Sequence, residues 1–138
     1  MPRYAADRTL LAPLEDVWAF LVEPYNLPDW WPGVSGVEPD RRGVAPGARW
    51  KVLGPDQPTF LRKPDAAGTL LVLEVVPMRR IAFQVVAQRL DAELDLEDAG
   101  DGRTEVSLLV SAPLLSIRRS FPSQALARLY DLVQTSAE

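Results

Sequence analysis

The 138-residue sequence predicts an α+β fold: a curved antiparallel sheet of about six to seven strands wrapped around a C-terminal helix, with two short helices after the first strand. Three observations predict it. A helical stripe lies near the N-terminus, a run of strand patterns joined by turn chemistry fills the middle, and a stronger helical stripe ends the chain. Consecutive strands joined by tight turns form a meander, which must twist and curl, and an amphipathic helix is the natural cover for its concave face.

In chain order, Arg3 to Leu11 reads as a first strand with a weak start at Ala5, Ala6 and Asp7. Pro13 suits a helix start, and Glu15 and Asp16 complement the helix dipole. Leu14, Val17, Trp18 and Leu21 share one helical face, and the helix should stop before Pro24. Pro24 to Pro32 holds three prolines and the pair Trp30-Trp31, so only a single turn or short helix fits. Val34 to Asp40 and Ala48 to Leu53 read as strands separated by glycine and proline turns. Gly54 to Gly68 reads mainly as a loop, with Thr59-Phe60-Leu61 able to extend a strand.

Thr69 to Val76 is strongly β, and Pro77-Met78 turns into Arg80 to Ala87. Leu90, Ala92, Leu94 and Leu96 alternate with charged residues, which predicts one buried and one wet face. Ala99 to Gly102 has hairpin composition and leads into the strand Arg103 to Ser111. Leu126, Leu129, Tyr130 and Val133 then repeat the helical spacing. Ser120 suits the cap, with Pro122 in the tolerant first turn; a longer helix from about Ser116, kinked at Pro122, is the alternative. No linker or internal repeat breaks the chain, so residues 1–138 are expected to form one domain.

Composition excludes several function classes. There is no cysteine and no histidine, which removes thiolate, Ser-His and His-ligated zinc chemistry, so no metal and no cofactor are expected. The net charge of −4 and the lack of a basic stripe disfavour nucleic acid; the pairs Arg79-Arg80 and Arg118-Arg119 read as solvated surface. No apolar run approaches the roughly 20 residues of a membrane span. Met1 to Tyr4 lacks the apolar core of a signal peptide, so a cytoplasmic location is expected, as a monomer or homodimer.

Several segments together carry a family resemblance: Ala12 to Leu21, Leu27-Pro28-Asp29-Trp30-Trp31-Pro32-Gly33-Val34, Gly47-Ala48-Arg49-Trp50, Glu74 to Phe83, Asp98 to Val106 and Leu126 to Leu129. In this order they resemble the START-like or SRPBCC superfamily of helix-grip proteins, most closely its polyketide cyclase/dehydrase and lipid transport branch. The resemblance implies an apolar ligand cavity between the sheet and the last helix. The superfamily mixes carriers, receptors and enzymes, so it implies no single activity. One departure is Pro122, which interrupts a segment that is usually a long unbroken helix.

Alternation assigns Trp50, Val52, Leu71, Leu73, Val75, Ile81, Phe83, Val85, Leu90, Ala92, Leu94, Leu96, Val106, Leu108 and Val110 to the inward face. The candidate ligand contacts are Trp30, Trp31, Trp50, Leu73, Phe83, Leu94, Leu108, Leu126 and Tyr130, with a plain packed core as the competing reading. Of the tryptophan pair, one is expected to be structural and one to stand at the cavity mouth, with Tyr25 nearby. Glu74 reads either as an acid inside the cavity or, by alternation, as an outward group paired with Arg80 or Arg62. Arg49 and Tyr130 are the other candidate polar helpers, against a surface arginine and a tyrosine bonded to backbone.

The leading expectation is binding or carriage of a hydrophobic small molecule such as a lipid, polyketide or aromatic metabolite. A cyclase, aromatase or dehydratase that uses Arg49, Tyr130, Tyr25 or Glu74 is the second, and a protein-interaction module that uses the Trp30-Trp31 patch or the sheet surface is the third.

Overall fold

The first strand, β1 (Arg3–Leu10), runs to Ala12-Pro13, where Pro13 in extended geometry caps α1 (Leu14–Leu21). Glu15 and Asp16 occupy the first turn of α1, and Val17 and Leu21 are buried. This computed structural model describes residues 2–54, 67–113 and 118–136. A 3-10 turn at Pro24–Asn26 feeds the four-residue α2 (Leu27–Trp30), as the proline spacing requires. Then come β2 (Gly36–Glu38), β3 (Arg49–Leu53), β4 (Ala67–Val76), β5 (Arg80–Val85), β6 (Leu90–Gly100), β7 (Arg103–Ser111) and α3 (Phe121–Ser136).

All seven strands join one antiparallel sheet in the order β1-β7-β6-β5-β4-β3-β2. β6 and β7 are joined by the two-residue turn Asp101-Gly102, both with positive φ (55° and 72°), which matches the right-handed twist of the flanking strands. Leu90, Ala92, Leu94 and Leu96 are buried on one face of β6, opposite Val110, Leu108 and Val106 of β7. α3 lies on that face against β1 and β7 and buries Ala125, Leu126, Leu129 and Val133. Pro122 sits at the second position of α3, and the Ser120 carbonyl accepts from the Gln124 N–H at 2.9 Å, so the helix starts at the proline rather than bending around it. Ser116, where a longer helix would begin, lies outside the described residues, as do Thr59-Phe60-Leu61 and Arg62.

Thr104 is fully buried, and its Oγ1 donates to the Ala12 carbonyl at 2.9 Å, tying β7 to the corner between β1 and α1. That single bond satisfies a carbonyl that would otherwise be stranded in the core.

The sheet corrects one expectation. Strict alternation along β4 placed Leu71 and Leu73 inward, but Leu70 (1% exposed) and Val72 (2%) face the core, while Leu73 is 47% exposed. A β-bulge between Val72 and Glu74 is the cause: Val72 pairs with Phe83 and Glu74 with Ala82, leaving Leu73 as an extra, unpaired residue. The inserted residue shifts the parity, so Val75 beyond it again packs on the core opposite Ile81. Glu74 faces outward.

Candidate functional site

The concave side of the sheet holds a pocket whose described lining residues are all hydrophobic. Leu21 comes from α1, Leu27 and Trp30 from α2, Val44 from the segment before β3, and Trp50 from β3. The floor is Leu70 and Val72 of β4, Ile81 and Phe83 of β5, and Leu94 of β6. Two polar atoms belong to these side chains, the indole N–H groups of Trp30 and Trp50, and that of Trp50 donates to the Gly43 carbonyl at 2.7 Å. The free volume is about 20 Å³, room for roughly one water molecule. In this state the pocket is nearly filled by its own walls.

The segment that delivers Val44 is tied at both ends. The Asp40 carboxylate accepts the backbone N–H of Arg42 (3.0 Å) and of Arg49 (2.9 Å), and Gly47 N–H donates to the Val72 carbonyl (2.8 Å). The Arg49 N–H does most to stabilise the charged form, so the Asp40 pKa lies below the ordinary aspartate value despite some desolvation. Gly47 adopts φ +87°, a backbone conformation that strains any residue with a side chain, so this turn favours glycine.

Trp30, Trp50, Phe83 and Leu94 therefore meet around one pocket. Trp31, Leu108 and Leu126 are buried in the surrounding core instead. Trp31 makes edge-on contacts with Trp30, Phe83 and Phe121 at centroid distances of 5.4, 5.0 and 4.9 Å. Both tryptophans of the pair are buried (3% and 1% exposed), which corrects the expectation of one at an exposed mouth, and the pair offers no exposed patch to a partner. Their aromatic bulk is spent inside, between α2, β5 and α3. Tyr25 does stand in solvent, 66% exposed.

Leu73, on the bulge, does not reach the pocket. Tyr130 is half-buried at the edge of α3, where the Arg8 guanidinium lies 4.4 Å from its ring centroid. Arg49 is exposed on the outer face. Glu74 is also outside, 3.5 Å from Arg80 Nε without hydrogen-bond geometry. Arg80 further pairs with Glu93 (3.1 Å) and Asp95 (3.0 Å). Burial alone pulls the Arg80 pKa down, but Asp95, Glu93 and Glu74 reverse that and hold it above its ordinary value.

Sequence reasoning missed Leu21, Leu27, Val44, Leu70 and Val72 as pocket residues. A bulge would have had to be recognised to place Leu70 and Val72, and nothing in the turn around Val44 signals that its side chain points inward.

A second, larger recess of about 630 Å³ is lined by charged residues, among them Arg79, Arg80, Asp95 and Glu97, together with apolar Leu14, Val76, Met78 and Leu96. It is lined largely by ion pairs and charges, and it does not communicate with the apolar chemistry of the inner pocket through any shared residue. Among the described residues no group of acidic side chains is arranged to hold a metal ion, and no helix is long and apolar enough to cross a membrane.

Solved structures share this fold. XoxI from Bacillus cereus is similar over 100% of this chain and 99% of its own, with a TM-score of 0.74 and 11% identity. A protein of Nitrosomonas europaea is similar over 97% of this chain and 95% of its own, with a TM-score of 0.73 and 18% identity. The di-domain ARO/CYC BexL from the BE-7585A biosynthetic pathway is similar over 97% of this chain and 47% of its own, with a TM-score of 0.67 and 18% identity. No curated protein shows a significant sequence match. The family model described as polyketide cyclase/dehydrase and lipid transport matches residues 1–131. With that match across almost the whole helix-and-sheet framework, the chain belongs to the polyketide cyclase/dehydrase and lipid transport family.

Proposed function

We propose that the protein binds or carries a small apolar molecule in the pocket between the sheet and the helices. The observation that carries this reading is the chemistry of the lining: ten described residues from seven parts of the chain, none ionisable, whose only polar side-chain atoms are the indole N–H groups of Trp30 and Trp50. The family's description, which pairs cyclase and dehydrase activity with lipid transport, supports an apolar occupant.

The free space decides what binding demands. About 20 Å³ is far below the roughly 300–1,000 Å³ of an ordinary ligand site, so the walls part when a ligand enters. Three of the walls, Leu27, Trp30 and Val44, sit on a four-residue helix or an irregular segment rather than on the sheet. Such elements open at lower cost than paired strands.

The cyclase-type alternative needs a positioned polar group at the reacting centre. Arg49 and Glu74 lie on the outer face and Tyr130 lies against Arg8, so none of these helpers lines the pocket. This supports carriage over acid–base chemistry. Native mass spectrometry of the protein purified from its own host tests the proposal. A co-purifying apolar compound, released by organic solvent, is the expected result. A homogeneous unliganded mass, unchanged after incubation with apolar extract from the same cells, would count decisively against it.

A further inference from the structure

We infer that the Trp30 indole N–H is the polar anchor of the inner pocket, and that the ligand is an apolar molecule presenting one hydrogen-bond acceptor, such as a carbonyl oxygen, to that donor. This rests on the apolar-ligand reading above and adds the ligand's polar group.

The described lining side chains bring two donors and no acceptor. Their situations differ. Trp50 Nε1 donates to the Gly43 carbonyl at 2.7 Å. Trp30 Nε1 has no hydrogen-bond partner among the described residues, although Trp30 is only 3% exposed. Acceptors in the corner between α1 and α2 are engaged elsewhere. The Glu23 carboxylate takes the Tyr25 N–H, the Phe20 carbonyl takes the Asn26 side chain, and the Leu27 carbonyl takes the Trp31 N–H.

Among the described residues, the unbonded side-chain nitrogen that the protein seals completely is Arg80 Nε, so Trp30 Nε1 still borders free space. The free space that the Trp30 side chain lines is the inner pocket. An N–H taken from water and left unbonded is costly, and native proteins keep few of them. The Trp31 ring, edge-on to Trp30 at 5.4 Å, offers at most a weak π acceptor. An acceptor oxygen on a ligand restores the missing bond, and a hydrocarbon of the same shape does not.

The test uses indane and 1-indanone, which share one bicyclic frame and differ by a carbonyl. Ile81 lines the pocket and Ile117 is the chain's other isoleucine, so methyl-labelled isoleucine reports occupancy by NMR. The four tryptophans give four indole N–H signals, and through-space contacts identify that of Trp30. Both probes are expected to shift the Ile81 methyl. Only 1-indanone should move the Trp30 indole proton downfield. After correction for partition into cyclohexane, where a carbonyl finds no donor, 1-indanone should bind about tenfold more tightly or better.

Trp30→Phe keeps an aromatic wall, removes the N–H and should bring the ratio of the two corrected affinities to within about threefold. If this variant does not fold, the indole shift and the ratio in the unmodified protein decide alone. An unmoved Trp30 indole proton, or no preference for 1-indanone, overturns the inference and leaves the apolar-ligand proposal standing. So does a ratio that survives in a folded Trp30→Phe protein. No response of Ile81 to either probe overturns both.

Discussion

Of the two recesses described above among the described residues, the larger is the less informative. The outer one encloses about 630 Å³ and the inner about 20 Å³. The outer recess is bounded in part by the Arg80–Asp95 ion pair, about half exposed on the carboxylate side, and such a surface pair needs no ligand to explain it. The inner one gathers side chains from two helices, the Val44 segment and four strands around a small space lined by hydrophobic residues. Size measures what solvent already occupies, whereas lining chemistry measures what would be gained by excluding it.

That contrast breaks most sharply at Phe83, which floors the inner pocket and touches Trp31. Phe83→Ala should cost about 3–5 kcal/mol in urea unfolding, the usual loss for a buried aromatic ring. A loss below about 1 kcal/mol would show that the pocket is loose and the contrast with the outer recess false.

A finer test compares neighbours on β4. Val72→Ala should cost about 2 kcal/mol, since it strips two buried carbon groups from the floor. Leu73→Ala, one residue on but outside the sheet, should stay within about 0.5 kcal/mol. Equal costs would mean that the bulge does not set the parity in solution.

The smallest effect belongs to the outer recess. Arg80→Met should cost about 1 kcal/mol or less, falling further as salt is raised, because its three carboxylate partners remain about half exposed. A larger, salt-independent loss would make the outer network part of the folded core rather than a solvated surface.

The difference between β4 and β6 also shows why part of the architecture is legible in the amino acids and part is not. β6 keeps a period of two from Leu90 to Leu96 because charged and apolar residues alternate, so any slip would bury a carboxylate. β4 reads Leu70-Leu71-Val72-Leu73, where either face is apolar and a slip by one residue carries little penalty in the sequence itself. Its register is decided by partners far along the chain, Phe83 and Ala82, and by the bulge between them. The helices were legible for the same reason as β6: α1 carries acids in its first turn, and Pro122 tolerates only the start of α3. Of the site, Trp50, Phe83 and Leu94 followed from alternation, while Trp30 followed from its size and company. Val44 did not, because a turn residue has no period to read.

Trp31 adds a mechanical consequence. Its single indole bridges the short helix, the sheet and α3 through Trp30, Phe83 and Phe121, and each such ring pair contributes about 0.5–1.5 kcal/mol beyond the area it covers. Lifting α3 away from the strands would break that bridge, whereas swinging the Val44 segment outward would leave it whole. The indole thus rivets one side of the pocket, and the Val44 segment is the side left free of that rivet.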